Sequence, residues 1–224
     1  MRHALDLAVK YQAKILFASS PAVYGYGTGK MLIKEDYIGP VNHLDIRSCF
    51  AEAKRFGESL VFNYLKTFNI EAKIARIFNS YGPKMSLNDG RMIPEMIKSA
   101  VRGEPIMVYG NPDEVASYFF IDDLIRGLIK LMHYEDSGPF NFASEWKVTL
   151  KEVAEKINHL AGNKSEIVFK DRLEYFKPQP LADITLAKEK LGWFPIVLLD
   201  EGLQKTFDYL SAQEGIKRPE SVNL

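Results

Sequence analysis

The stretch that decides the fold is Lys14-Ile15-Leu16-Phe17-Ala18-Ser19-Ser20-Pro21-Ala22-Val23-Tyr24-Gly25. Its first part is a short apolar run, which predicts a buried strand over Lys14 to Ser19. Two serines end the run, and proline, tyrosine and glycine then follow as residues typical of a turn. Because binding residues are often carried on loops at the ends of rigid elements, this strand end is a candidate site.

Similar short apolar runs alternate along the chain with amphipathic helical segments. Further strands are predicted at Ala72 to Phe78, Ser117 to Ile121 and Phe140 to Ala143. Helices are predicted at His3 to Tyr11, Phe50 to Phe68, Met92 to Val101, Asp122 to His133, Leu150 to Ala161 and Asp200 to Leu210. Thr149 followed by Glu152 predicts a capping box at the fifth helix. This alternation predicts an α/β fold in which helices cover a parallel sheet.

A second informative segment is Ser48-Cys49-Phe50-Ala51-Glu52-Ala53-Lys54. Phe50 and Lys54 are four residues apart, so on a helix they share one face. A tyrosine at the first position, its pKa lowered by the lysine, could exchange a proton with a substrate alcohol. Phenylalanine cannot. Taken alone, this pair is more often a core contact and a solvated charge.

The surrounding motifs give the segment a context. A second apolar strand runs into Ala75-Arg76-Ile77-Phe78-Asn79-Ser80-Tyr81-Gly82-Pro83. Together with the serine pair before Val-Tyr-Gly, these motifs resemble the extended short-chain dehydrogenase/reductase (NAD-dependent epimerase/dehydratase) family. Within it the chain is most similar to the UDP-glucuronate decarboxylases, and the likeness extends to about residue 210. The resemblance implies a Rossmann-like doubly wound parallel sheet with a smaller C-terminal substrate-binding lobe.

The resemblance also implies a division of the chain. Residues 1–83, with 117–143 returning to the same sheet, would be the remainder of the NAD-binding domain. Residues 84–116 and 144–210 would form the substrate-binding lobe, and 211–224 a flexible tail. Measured against the family, the first strands and their glycine-rich turn are absent. The segment Gly25 to Lys30 lacks the Gly-x-Gly-x-x-Gly spacing and is better explained as a surface loop.

Site residues are carried over by resemblance. The catalytic positions are Ser20, Phe50, which stands where the family has its tyrosine, and Lys54. The residues expected to hold NAD are Ser19, Lys54, Ser80 and Arg91. The residues expected to contact a UDP-sugar are Asn79, Ile93 and Tyr109. Structural alternatives remain open for several of them: backbone capping for Ser20, a turn for Asn79, a solvated charge for Arg91 and a core position for Tyr109.

Four departures from the family pattern count against activity. Phe50 lacks the acid/base oxygen, and Ala22 replaces a glutamate thought to assist decarboxylation. Ala116 replaces the arginine that grips the nucleotide diphosphate, and Gln179 to Asp183 lacks a further arginine. The sequence therefore predicts an impaired or inactive sugar-nucleotide enzyme of the UDP-glucuronate decarboxylase type. Whether the chain is an enzyme at all stays open.

The alternative is a non-catalytic, family-derived dimerising or interaction subunit. In the family, the helices corresponding to His3 to Tyr11 and Phe50 to Phe68 commonly pair with their copies, so a homodimer is expected. The apolar stripe of Phe56, Leu60, Tyr64 and Phe68 could serve this contact. A face buried within the monomer explains the stripe equally well.

Bulk properties narrow the class of partner. Lys+Arg and Asp+Glu are 29 each, which argues against nucleic acid or an anionic membrane as partner. The single cysteine, Cys49, excludes an internal disulfide, and the four histidines show no metal-ligand spacing, so no metal site is expected. The sequence contains neither a membrane-length apolar run nor a signal peptide, which predicts a cytoplasmic protein.

Overall fold

The computed structural model describes residues 1–26, 32–88, 90–174 and 178–216. Its α-helices are α1 Arg2–Tyr11, α2 Ser48–Phe68, α3 Met92–Arg102, α4 Ile121–His133, α5 Leu150–Leu160, α6 Thr185–Leu191 and α7 Leu199–Ile216. Its strands are β1 Ile15–Ser19, β2 Leu32–Ile33, β3 Ala72–Ile77, β4 Ser80–Tyr81, β5 Ile106–Tyr109, β6 Val115–Ser117, β7 Phe119–Phe120, β8 Phe140–Phe142, β9 Lys147–Thr149, β10 Ile167–Lys170 and β11 Leu181–Ala182. A single 3₁₀ turn, Pro21–Tyr24, follows β1.

The chain divides into two compact units. Unit 1 contains Met1–Ser80, Asp122–Trp146 and Glu174–Ile196. Unit 2 contains Tyr81–Ile121, Lys147–Leu173 and Val197–Leu224. These units differ from the predicted division at 81–83 and 117–121, which lie in unit 2, and at 144–146 and 174–196, which lie in unit 1. Residues 174–196 lie in unit 1 because β11 pairs with β2 of that unit. Strands of two residues are too short to show a sequence periodicity that would predict this pairing.

Unit 1 is built on a parallel sheet with the order β1-β3-β8. β1 and β3 are in register from Ile15 opposite Ala72 to Ser19 opposite Arg76, and β3 continues onto β8 with Ala75 opposite Phe140. The expected α/β fold with a parallel sheet is confirmed. Because the strands are parallel, the segments that follow them meet at one edge.

Helix α2 packs closely on this sheet. A Cβ added at Gly57 would lie 2.4 Å from the Phe17 ring, so only glycine permits this approach without a shift of the ring. Further along, α1 and α2 share a core with β3 that is formed by Leu5, Ala8, Val61, Ile70, Ala72 and Ile74. Leu60 and Tyr64 of the predicted apolar stripe pack against that core. Two of the four stripe residues therefore pack within the monomer.

Unit 2 has its own core beneath α3, α5 and α7, which includes Ile93, Met96, Ile97, Val153 and Leu203. β5 pairs in parallel with β10, and β6 pairs antiparallel with β9. The capping box is confirmed: the Thr149 hydroxyl accepts from the Glu152 N–H, and the Glu152 carboxylate accepts from the Thr149 N–H.

Two predicted elements need correction. The single strand expected over Ser117 to Ile121 is broken at Tyr118, and helix α4 already begins at Ile121. The last helix does not end at Leu210 but continues to Ile216, so the predicted tail from 211 is helical at its start. The rest of that tail, 217–224, lies outside the described residues, as does 27–30 of the predicted surface loop.

Candidate functional site at the strand ends

Lys54 is fixed at the end of β1. Its Nζ donates a hydrogen bond to the carbonyl oxygen of Ala18 at 2.7 Å. The same nitrogen lies 5.3 Å from the centre of the Phe17 ring and 5.6 Å from that of Phe50, distances typical of cation–π contacts. Phe50 is 41% exposed. The predicted pair on α2 is therefore formed, but the lysine contacts an aromatic ring and a backbone carbonyl where a phenol oxygen would be needed.

The two serines at the end of β1 make different contacts. Ser20 caps the 3₁₀ turn, because its Oγ accepts from the N–H of Ala22 at 3.2 Å. This is the structural alternative that the sequence left open. Ser19 is buried, and its hydroxyl donates to Oε1 of Glu58. Toward a cofactor or substrate, the Ser19 oxygen therefore has only its acceptor capacity left.

A buried polar network lies behind these residues. Arg76 on β3 donates from Nε and Nη2 to the two carboxylate oxygens of Glu58, at 2.9 and 2.7 Å. Its Nη1 donates to the Tyr24 hydroxyl oxygen and to the carbonyl oxygen of Glu35, both at 2.7 Å. The Tyr24 hydroxyl in turn donates to Oδ1 of Asn141 at 2.7 Å. The network ties α2 and the loops after β1 and β2 to strands β3 and β8.

Burial sets the protonation of this network. It raises the pKa of Tyr24 to about 12, although the neighbouring Arg76 acts in the opposite direction. Burial also raises the pKa of the Glu35 carboxyl, which accepts from the Asn141 N–H at 2.8 Å. Tyr24 therefore holds its proton at neutral pH and is enclosed, so it cannot replace the missing phenol at Phe50. Tyr81 is also buried, and its hydroxyl donates to the carbonyl oxygen of Leu199.

The remaining predicted residues fall into two groups. Asn79 and Ser80 follow β3 in unit 1 and are half-buried. Arg91, Ile93 and Tyr109 belong to unit 2. Arg91 is exposed and precedes the first turn of α3, Tyr109 ends β5, and Ile93 lies in the core with 2% exposure. A contact of Ile93 with substrate would have to use its backbone N–H. These binding roles stay predictions.

The described residues fit NAD only in part. Lys54 spends one of its three N–H donors on Ala18 and keeps two that could reach ribose hydroxyls. The Ser19 hydroxyl already donates its hydrogen bond to Glu58 and cannot donate a second one to NAD. A glycine-rich turn before a helix, which would hold a pyrophosphate on backbone N–H groups, does not occur in this sequence. The site thus offers a ribose contact without a pyrophosphate cradle.

The order of these motifs and their placement at the strand ends agree with one family of proteins. The profile of the family described as GDP-mannose 4,6 dehydratase matches residues 1–206. The chain belongs to this family. UDP-glucuronic acid decarboxylase 4 of Arabidopsis thaliana is 39% identical over 199 residues, which cover 89% of this chain and 45% of that protein. UDP-glucuronic acid decarboxylase 1 of Danio rerio is 37% identical over 209 residues, covering 93% and 50%.

Solved structures of family members share the fold. UDP-glucose 4-epimerase of Thermotoga maritima, crystallised with UDP-glucose, superposes with a TM-score of 0.85 at 25% identity, covering 95% of this chain and 68% of that one. UDP-glucuronic acid 4-epimerase of Bacillus cereus, in complex with NAD, superposes with a TM-score of 0.80 at 24% identity, covering 93% and 65%. The expected Rossmann-like fold and membership in the epimerase/dehydratase group are confirmed. The chain spans about half the length of the two decarboxylases named above.

Sequence reasoning missed the residues behind the site. Glu58, Arg76, Glu35 and Asn141 were not singled out, although they form a connected polar network in unit 1. One signal was present: Glu58 lies four residues after Lys54, on the same face of α2. An arginine inside an apolar strand, as at Arg76, was a second one, because a buried charge requires a partner.

No helix among the described residues has the length and apolarity to cross a membrane.

Proposed function

We propose that this chain is a sugar-nucleotide-binding member of the short-chain dehydrogenase/reductase family that has lost proton transfer to the sugar. The observation that carries the proposal is the contact between Lys54 and Phe50: the ammonium lies 5.6 Å from the ring centre, and the ring bears no ionisable group. In an enzyme that oxidises an alcohol, an acid/base at this position contributes about 10²- to 10⁴-fold. Without it, hydride transfer from the sugar has no proton acceptor at this position of α2.

The neighbouring side chains after β1 do not replace the missing tyrosine as proton acceptor. Ser20 Oγ is used as a backbone cap, and Ala22, at the expected glutamate position, is buried beside it. Tyr24, two residues after Ala22, carries a phenol, but burial raises its pKa to about 12 and its oxygen is enclosed by Arg76 and Asn141. Ser20 and Tyr24 thus both take part in contacts that hold the strand ends together.

The substrate class proposed is a UDP-sugar, with UDP-glucuronate as the first choice. Support comes from the decarboxylase relatives at 37–39% identity. NAD is the cofactor expected from the family, and Lys54 is the described side chain best placed to hold its ribose. When bound, NAD would supply the hydride acceptor. The chain's own part would be to bind and orient the sugar nucleotide, with little turnover.

Two measurements on the native protein test this proposal. Calorimetric titration with UDP reports nucleotide binding, and release of carbon dioxide from UDP-glucuronate in the presence of NAD reports chemistry. Binding of UDP with carbon dioxide release at background level supports the proposal. Turnover at the rate of an intact relative would contradict the loss of proton transfer. Absence of UDP binding would contradict the sugar-nucleotide role.

A second function, that of a dimerising or interaction subunit, is favoured by the apolar side chains left at the surface of α1 and α2. Phe56 is 66% exposed, and Leu7, Tyr11, Phe62 and Phe68 are also exposed. Clusters of exposed aromatic residues are typical of protein contacts. Sedimentation of the native protein and of Phe56→Asp tests it. A dimer that the substitution dissociates supports this role, and a monomer at all concentrations contradicts it.

A further inference from the structure

A charged pair lies at the ends of two parallel strands of unit 2. β5 and β10 are in register, with Tyr109 opposite Lys170, and the N–H of Gly110 donates to the Lys170 carbonyl oxygen at 3.0 Å. Arg172 follows two residues after β10. A Cβ built on Gly110 would lie 3.5 Å from both Nε and Nη2 of Arg172. The guanidinium therefore stands against the Tyr109–Gly110 turn, where the family resemblance places the nucleotide.

Glu114 holds this arginine in place. Its carboxylate pairs with Nη2 of Arg172, and the two side chains are only 18% and 33% exposed. Glu114 continues the ladder of β6, because its carbonyl oxygen accepts from the N–H of Leu150, the residue after Thr149 that pairs with Val115. Side chains two residues apart on an extended strand share a face about 7 Å apart. Glu114, which holds Arg172, thus shares a face of the strand with Ala116.

The negative charge of Glu114 also acts on Tyr118. Tyr118, two residues beyond Ala116, is partly buried, and its pKa is raised first by desolvation and then by the negative charge of Glu114. Glu114 and Ala116, at alternate positions of the extended segment that forms β6, share one side of the strand. It is the side on which the family carries the arginine that grips the nucleotide diphosphate, and on which this chain has only a methyl group at Ala116.

We infer that Arg172 replaces the arginine missing at position 116 and binds the diphosphate of the sugar nucleotide. The inference rests on the proposed function, since it needs a nucleotide ligand. A guanidinium has five N–H donors in a planar fork. Within the described residues, Glu114 is the partner that Arg172 shows, and it takes one edge of the fork. The other donors can bind phosphate oxygens in the bidentate way that arginine favours.

Glu114 has two opposing effects on such a ligand. It fixes the guanidinium beside the Tyr109–Gly110 turn, which lowers the entropy lost on binding. Its negative charge also repels a diphosphate. Replacing the carboxylate with an amide keeps an oxygen that can accept from Arg172 and removes the charge. A pair that only stabilises unit 2 would not give opposite effects when each partner is changed.

The test is calorimetric titration of the native protein and three variants with UDP and with uridine, which lacks phosphate. Arg172→Met is expected to weaken UDP binding about tenfold or more and to leave uridine binding unchanged. Glu114→Gln is expected to strengthen UDP binding a few-fold. Adding Ala116→Arg to Arg172→Met is expected to restore most of the lost affinity. Arg126→Met, which breaks an arginine–aspartate pair of unit 1, is the matched control and should leave UDP binding unchanged.

Thermal unfolding of each variant identifies a change in folding. Equal UDP affinity for native protein and Arg172→Met, or an equal loss for UDP and uridine, would overturn the role of Arg172 and leave the proposed function standing. Failure of the native protein to bind UDP would overturn the proposed function and this inference with it.

Discussion

Arg76 and Glu58 are joined by two parallel N–H···O bonds, at 2.9 and 2.7 Å, between strand β3 and helix α2. The two side chains are 11% and 14% exposed, so the pair is largely removed from water. Burial acts to lower the pKa of Arg76, but its hydrogen bonds and electrostatic interactions with Glu58 and Tyr24 outweigh burial and raise the pKa overall. Because Glu58 is one turn beyond Lys54, this pair fixes the helix face that carries the site.

Arg76→Met should destabilise the protein by about 3 kcal/mol, because it leaves the Glu58 carboxylate buried without its cation. It should also free the Tyr24 hydroxyl from one partner. Urea unfolding of native and variant protein measures the change. Glu71→Gln, which breaks the exposed pair with Lys14, is the matched control and should change the free energy of unfolding by less than about 1 kcal/mol. Equal effects of the two substitutions would contradict a structural role for the buried pair.

Lys54→Met should lower stability modestly, by about 1 kcal/mol, because the hydrogen bond to Ala18 and the contacts with two rings are lost. Lys66 lies 5.5 Å from the Phe62 ring on the exposed part of the same helix, which makes Lys66→Met a suitable control with little expected effect. Chemical unfolding compares the two. A larger loss for the control would show that Lys54 is not held as the structure describes.

Tyr24 gives a pH dependence with a defined sign. Its pKa is about 12 in the folded protein and 10.0 for an ordinary tyrosine, so between these values the unfolded chain loses a proton that the folded chain keeps. The contribution of Tyr24 to stability is therefore full below pH 10 and is lost as pH rises toward 12. Ultraviolet titration should show a tyrosinate signal near pH 12 that is absent in Tyr24→Phe. A signal with the ordinary midpoint would contradict the enclosed phenol.

Much of the fold follows from sequence patterns, and the failures have physical causes. The long helices α1 to α5 and the strands at Ile15, Ala72 and Phe140 were predicted to within two residues, because apolar periodicity persists over their length; α7 was predicted to end six residues too early. Short strands such as β2 and β11 were missed because a pair of residues carries no period. The strand expected at Ser117 failed because Tyr118 interrupts it and α4 starts early.

The site was predictable where it depends on neighbours in sequence and not where it depends on distant partners. The spacing of Phe50 and Lys54 placed both side chains at the end of β1. The capping role of Ser20 was one of two open alternatives. Partnerships such as Glu35 with Asn141, 106 residues apart, arise from the sheet order and leave no local signal. Arg172 was missed for the same reason, because its neighbour Gly110 follows another strand, β5.

The most direct measurement is carbon dioxide release from UDP-glucuronate by this chain fused to the N-terminal half of an Arabidopsis decarboxylase relative, with and without Phe50→Tyr. The added hydroxyl would stand beside the Lys54 ammonium, which favours its ionised form. We predict background release from the fusion that keeps Phe50, and release at least a hundredfold higher once Phe50→Tyr is introduced. Release at a relative's rate from the fusion that keeps Phe50 would contradict the account.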